Sequence, residues 1–336
     1  MSYKPPYNIN SQMLRNVADI MKLIGYISGS QAIDINKPKL RRTNQINSIY
    51  SSLAIENNQL TKDQVKDIIN GKLVIGPKRD ILEVQNALKC YDDIININPY
   101  QIDDLLRYHK IMMQGLLEDA GNFRLTQEGV FDGDTVIFIA PPANLVPELI
   151  ENLYDYLINY DDNFLIKSCF FHYEFEFIHP FSDGNGRLGR LFQTCLLANN
   201  EEVFSYLPIE SIIKERQQEY YDAISKSNQE GNADIFIEFM LEAILETLKR
   251  VNLSSKVDSS AKSLYVEKLM SVMDEHKAYK LKDLMELLNL TSLSSFKKHY
   301  IIPAMDDGLI AMTIPNVPTS RSQRYIKITY IWHSNW

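Results

Sequence analysis

Twelve consecutive residues, His179-Pro180-Phe181-Ser182-Asp183-Gly184-Asn185-Gly186-Arg187-Leu188-Gly189-Arg190, constrain this chain more tightly than any other stretch. Upstream of them Ile166, Phe170, Tyr173 and Phe177 step by four, three and four, with Leu165 and Cys169 alongside. That register predicts a helix, although Phe175 and Phe177 alternate with Glu174 and Glu176 as in a strand. Pro180 cannot continue the helix cleanly, because it lacks an amide hydrogen and restricts its neighbour. Gly184-Asn185-Gly186 can take positive φ, so its amides can converge on an anion. Leu188, Leu191-Phe192 and Cys195-Leu196-Leu197 then predict a second helix whose N-terminus faces that anion. Arg187 and Arg190 lie one turn apart and share a face. A loop, a helix start and two guanidiniums together make a polyphosphate cradle. The carboxylate of Asp183 is unfavourable there unless it holds a Mg²⁺ shared with phosphate oxygens.

Two commoner phosphate motifs do not account for the segment. Gly184-x-Gly186-x-x-Gly189 matches the dinucleotide fingerprint, which requires a preceding β-strand; here a helix precedes it. No Gly-Lys-Ser/Thr ends the glycine run, so it is not a Walker loop. The segment resembles instead the signature of Fic-domain proteins, His-Pro-Phe-x-(Asp/Glu)-Gly-Asn-Gly-Arg-x-x-Arg, at every specified position. The resemblance covers roughly Leu105 to Ile244. It implies a mainly α fold, a Fic helical core carrying one β-hairpin flap.

The resemblance further implies a protein adenylyltransferase, moving AMP from ATP to a Ser, Thr or Tyr hydroxyl of a target protein or of the chain itself. His179 would be the general base, a task that suits an imidazole because its unperturbed pKa, about 6.5, lies near neutral pH. Asp183 would hold Mg²⁺ (or Mn²⁺) on the α- and β-phosphates. Gly184, Asn185 and Gly186 would bind α/β oxygens, and Arg187 and Arg190 the β/γ end. Tyr221 and Asn228 resemble the adenine side of the pocket. Pyrophosphate would leave, with catalysis mostly by positioning and charge stabilisation. Family members that bind ATP reversed tend to lack the second arginine; Arg190 is present, so AMP transfer is favoured over phosphoryl transfer. Phe181 is read as a core anchor, and His172 as structural.

Gly129 to Ile139 departs from the helical pattern. Val130-Phe131 and Val136-Ile137-Phe138-Ile139 flank Asp132-Gly133-Asp134, which predicts a β-hairpin ended by Pro141-Pro142. By resemblance it is the flap that positions a target. Nearer the N-terminus, Ile46, Ile49, Tyr50 and Leu53 predict a helix over about 43–58, stopped by Asn57-Asn58. Its Ser52-x-x-x-Glu56-Asn57 resembles the family's inhibitory motif, (Ser/Thr)-x-x-x-Glu-(Gly/Asn). If so, Glu56 pairs with Arg190 and displaces the γ-phosphate. The same carboxylate would suit orienting a water that removes AMP, so writer and eraser stay open.

Beyond a polar, Ser-rich stretch at Leu253–Ser263, read as a linker, three helical patterns (263–275, 281–288, 292–305) precede two strand-like runs (309–314, 325–331). That is the outline of a winged helix-turn-helix. The expected domains are therefore 1–100, a helical region with the inhibitory helix; 101–252, the catalytic core; and 262–336, a winged helix. From Ala261 onward ten Lys/Arg face seven Asp/Glu, a net of +3, which leaves −11 on the rest of a chain whose total is −8. An acidic chain is not built to coat nucleic acid. The tail keeps a rival open, a DNA-binding regulator with a Fic sensor core, through Lys297, Lys298, His299, Arg321, Arg324 and Lys327. Cys90, Cys169 and Cys195 suggest neither disulfide framework nor metal site. No signal-length apolar core opens the chain and no run reaches the roughly 18 apolar residues that cross a bilayer. A cytoplasmic protein without membrane contact is expected.

Overall fold

Periodic apolar stripes become helices along most of the chain. The computed structural model describes residues 5–29, 38–132, 135–275, 277–306, 308–318 and 320–328. Contacts divide it into two compact units, 1–251 and 252–336. The first holds α1 (Ser11–Gly29), α2 (Pro38–Ile55), α3 (Lys62–Ile69), α4 (Lys78–Asp92) and α5 (Ile102–Met112). After strands β1 (Gly129–Asp132) and β2 (Thr135–Ile139) come α6 (Val146–Asn159), α7 (Phe164–Ile178) and α8 (Asn185–Asn200). Helices α9 (Ile209–Glu215) and α10 (Gln217–Glu230) follow, then the first part of α11 (Asp234–Val272), which continues past residue 251. Residues 1–100 and 101–251 thus pack around one core rather than two.

Helix α7 runs through the middle of that core. The Asn163 side chain caps its start by accepting from the Leu165 amide. Leu165, Ile166, Cys169, Phe170, Phe171, Phe175 and Ile178 are all buried, so the helix is covered on every side, as a central helix must be. It packs chiefly on α8, and β1 pairs with β2 antiparallel with an irregularity at Val130/Phe131. Gly133 and Asp134, the expected turn residues, lie outside the described residues.

The helix expected over 43–58 is shifted. Helix α2 spans Pro38–Ile55 among the described residues. It ends at Ile55, because Asn57 takes the left-handed conformation (φ 64°) and the Asn58 amide bonds back to the Leu53 carbonyl at 3.1 Å. Glu56 therefore sits on the turn just past the helix.

The second unit has its own core of Val266, Leu269, Met273, Leu284, Phe296, Tyr300, Ile301 and Tyr325, among others. Helix α12 spans Leu281–Leu287, and the third helical pattern forms as α13 (Leu293–Phe296), a π-helical turn over Lys297–Ile301 and α14 (Ile302–Asp306). Strand β4 (Ile310–Met312) is shorter than the run that predicted it, and β5 covers Tyr325–Lys327, the end of its expected run, 329–331, lying outside the described residues. A two-residue strand that the sequence did not suggest, β3 (Ala278–Tyr279), joins them in the order β3-β5-β4. The expected linker is corrected outright: the backbone of 253–263 is helical within α11. Serine content alone does not break a helix when neither glycine nor proline accompanies it.

Candidate active site

His179 closes α7 in the left-handed conformation (φ 50°), its amide bonded to the Phe175 carbonyl at 3.0 Å. A non-glycine residue held there costs about 1–2 kcal/mol, so something must hold it. That something is Arg124, which is almost wholly buried. Its Nε donates to the His179 carbonyl (2.7 Å), its guanidinium to Ile178 (3.2 Å), Thr126 (2.8 Å) and Pro141 (2.6 Å) carbonyls, and its amide to Pro180 (2.9 Å). One side chain thereby ties the end of α7 to the base of the hairpin. The His179 imidazole is half-buried. Burial pushes its pKa below the ordinary value, against a bond to the Glu176 backbone that raises it. At neutral pH the ring is unprotonated, the state a general base requires.

Within the loop, Asn185 accepts from the Phe181 amide (3.0 Å) and donates to the Phe181 carbonyl (2.8 Å). Its side chain is therefore committed to shaping the loop rather than free for phosphate oxygens. Phe181 is buried and stacks on His109 of α5, with ring centroids 3.6 Å apart and planes 10° from parallel. His109 Nδ1 accepts from the Gly121 amide (2.8 Å), which leaves Nε2 to donate to the Asp183 carbonyl (3.0 Å). Gly184 has φ 88° and presses on Met113, whose sulfur would lie 2.7 Å from an added Cβ. Only glycine fits there.

The charged wall gathers residues from distant parts of the chain. Arg190, fully buried on α8, donates from Nε to Ser52 Oγ (3.1 Å) and from Nη2 to the Ser52 carbonyl (2.9 Å) and Glu56 Oε1 (2.7 Å). Burial opposes its charge, yet Glu56 more than restores it and holds the guanidinium above its usual range. The Glu56 carboxylate lies directly over Gly186: a Cβ added there would collide with Glu56 Oε1 and stand 2.9 Å from Arg190. Arg187 donates to Asp183 Oδ1 (2.6 Å) and to Glu83 Oε1 (3.1 Å) of α4, while its Nε is buried with no partner among the described residues. Arg79, also on α4, bonds Asp183 Oδ2 at 2.9 Å. Glu56, Arg79, Glu83, Asp183 and Arg187 line a polar cavity of about 240 Å³. A larger hollow, about 320 Å³, is lined by none of these residues and has the α5 end at Ile111 and Gly115 as its wall.

Behind the wall, His172 bonds Gln193 Oε1 (2.6 Å) and Tyr220 Oη (3.0 Å), fully enclosed. Burial drives its pKa down to about 3. Burial pushes the Glu176 carboxyl up to about 8, so this acid, 3.9 Å from His172, is protonated at pH 7 and the two form no ion pair. Tyr221 is partly exposed and reaches the Ile55 carbonyl (3.3 Å), beside the Glu56 turn. Asn228 accepts from Tyr173 Oη at 3.0 Å. Ser52, Glu56, Asp183, Arg187 and Arg190 thus converge on one wall. Arg124, His109, Glu83 and Arg79 belong to the same assembly and were missed by sequence reading. Glu83 alone left a signal, a carboxylate inside the apolar stripe Ile81, Val84 and Leu88.

Comparison with known proteins identifies the family. The Fic/DOC family description matches residues 99–197, and that of the Filamentation induced by cAMP protein Fic-like C-terminal domain matches 265–329. The chain is 39% identical to a Fic family protein from Desulfovibrio desulfuricans G20 whose crystal structure is known, over 98% of this chain and 99% of that one, with a TM-score of 0.73. Fic-1 (residues 134–508) from Caenorhabditis elegans shares the fold over 73% of each chain, with a TM-score of 0.60 at 21% identity. Among curated relatives, the protein adenylyltransferase Fic of Culex quinquefasciatus is 28% identical over 66% of this chain and 44% of its own length. That of Aedes aegypti is 29% identical over 60% and 41%. The chain therefore spans less than half of these two relatives. The near end-to-end match to the Desulfovibrio protein, with its motif intact and its loop folded, makes this chain a member of the Fic family.

Proposed function

We propose that this chain transfers AMP from ATP to a hydroxyl of a target protein or of itself, and that Glu56 restrains the reaction. The carrying observation is the arrangement of one loop. A neutral imidazole stands at its start, a helix N-terminus follows it, and guanidiniums line the wall beyond. The attacking oxygen forms its bond to the α-phosphorus as His179 takes the hydroxyl proton, and the bond to pyrophosphate breaks. Fixed amides and guanidiniums stabilise the charge without reorganising. The adenylyltransferase names of the relatives support the same reading.

Asp183 suits a magnesium ion. Its carboxylate borders the polar cavity, hard oxygen donors are what Mg²⁺ selects, and such an ion needs one or two carboxylates with phosphates and waters. The buried, unpartnered Nε of Arg187 fits a phosphate oxygen nearby. Mg²⁺ would neutralise the α/β-phosphates. Tyr221, bonded to the Ile55 carbonyl beside the Glu56 turn, and Asn228, bonded to Tyr173, would form the adenine side of the pocket.

The restraint is read from Glu56, which occupies Arg190 and the space over Gly186. Glu56→Gly is expected to raise labelling from α-labelled ATP, and not from γ-labelled ATP, by about 10–100-fold, the worth of one charged hydrogen bond. Intact-mass analysis with ATP and Mg²⁺, alone and with host lysate, identifies the acceptor. Equal labelling of a folded variant and its parent removes the restraint. Should the parent strip AMP from a modified target while Glu56→Gly does not, Glu56 serves removal instead. For residues 262–336 we read a winged helix, supported by the helix, strand, helix, helix and hairpin order. Its exposed Lys297 and Lys298 make duplex DNA the partner to test, by salt-dependent retention of the full chain.

A further inference from the structure

We infer that Arg79, a residue outside the twelve-residue motif, binds the terminal phosphates of the nucleotide after giving up Asp183 to the incoming divalent cation. The inference rests on the nucleotide site proposed above.

Both oxygens of Asp183 are taken. Oδ1 accepts from Arg187 (2.6 Å) and from the Gly184 amide (2.6 Å), and Oδ2 accepts from Arg79 (2.9 Å). A divalent cation joining this carboxylate would sit beside two like-charged guanidiniums, and their repulsion favours moving one of them away. Arg187 is the poor candidate to leave. Its side chain is 5% exposed and its second nitrogen is bound to Glu83, itself nearly buried and also held by Asn58 at 2.8 Å. Arg79 is the good one. Its side chain is 59% exposed, it grows from the first turn of α4, and its second contact, to Glu83, is a loose 3.5 Å.

Its destination is set by charge. The cavity beside it is walled by Glu56, Asp80, Glu83 and Asp183 against Arg79 and Arg187. A polyphosphate entering a space with that many carboxylates needs more than one guanidinium, and Arg187 is shared with Glu83 and Asp183. Arg79 answers that need: a guanidinium forks onto phosphate oxygens as well as onto a carboxylate. With the cation on Asp183, Arg79 loses one anion and finds another within reach of its flexible stem. A plain surface ion pair, holding α4 to the loop and nothing more, predicts different behaviour.

The test uses the full chain in the Glu56→Gly background, comparing Arg79 with Arg79→Ala and Arg79→Lys. Two equilibria are read without turnover: Mn²⁺ binding in the absence of nucleotide, by electron paramagnetic resonance, and binding of an α,β-methylene ATP analogue with Mg²⁺, by calorimetry. Removing a competing cation should tighten Mn²⁺ binding of Arg79→Ala about 3–10-fold, while losing a phosphate contact weakens analogue binding by about tenfold. Arg79→Lys keeps the charge without the fork, so its Mn²⁺ binding should stay near the parent's and its analogue binding fall between the two. Opposite signs support the exchange. Changes of the same sign, or none in either equilibrium, overturn it. A Glu56→Gly parent that binds no analogue at all overturns the nucleotide site itself, a separate result.

Discussion

The two sides of the charged wall are built from different physics. On one side α7 and α8 are held by apolar burial, with Phe171 stacked on Phe175 and Phe192 and edge-on to Tyr154, and the loop between them adds the buried Phe181 to its hydrogen bonds. On the other side α2 buries Ile46, Ile49 and Leu53 along one stripe and the polar Asn44, Ser48, Ser51 and Ser52 along another. Those side chains reach the Tyr206 carbonyl (2.8 Å), Glu210 (2.7 Å) and Ser211 (3.2 Å). Apolar burial has no competing partner that a ligand could supply, whereas hydrogen bonds can be exchanged for others of equal worth. The reacting loop stands on the part that cannot rearrange, and Glu56 on the part that can.

The largest expected effect tests whether the rigid side does chemistry at all. In the Glu56→Gly background, His179→Ala should lower labelling from α-labelled ATP by about 10²–10⁴-fold with an unchanged melting temperature, since it removes a general base from the loop's rim. Undiminished labelling would dissolve the assignment of His179. The next effect measures the contrast directly. Phe171→Ala empties space in the middle of the core and should cost about 3–5 kcal/mol in denaturant unfolding. Ser51→Ala, which loses one exchangeable hydrogen bond, should cost about 1 kcal/mol. Equal costs would mean that the two sides are held alike.

How much of this the sequence discloses follows the same division. Pro180 and Gly184 are demanded by backbone geometry within a few residues, so the loop can be read locally, and the pattern after Leu188 gives the helix that follows, whereas Gly186 is crowded by the distant Glu56. Arg124 and His109 cannot be read that way. Each sits in an unremarked stretch, and each matters only because tertiary closure delivers it to the loop, His109 under Phe181 and Arg124 under His179. Arg79 and Glu83 are four apart on α4, a spacing that fits any surface pair. The Ser-rich stretch at 253–263 reads as a linker on its polarity, yet no breaker interrupts it and its backbone is helical. Strand β3 is two residues long, too short to show an alternation.

The smallest effect concerns pH and separates His179 from an exposed histidine. An ordinary imidazole, with a pKa of about 6.5, would be half protonated at pH 6.5 and would lose half its activity as a base there. Burial holds His179 lower, so more than half of it stays neutral at that pH. In the Glu56→Gly protein, kcat/KM should therefore fall by less than about twofold between pH 7.5 and 6.5, its acid limb lying lower still. Stability moves with the same sign. The unfolded chain takes up protons near 6.5 that His179, His109 and His172 refuse until lower pH, His172 until about 3. Glu176 and Glu210, whose carboxyls are raised by burial, work the other way; with three histidines against two carboxyls the folded state loses stability as pH drops below about 6.5, and the melting temperature should fall with it. An acid limb at or above 6.5, with the melting temperature falling below it as expected, would place the catalytic imidazole in solvent and move the base off the rigid side of the wall.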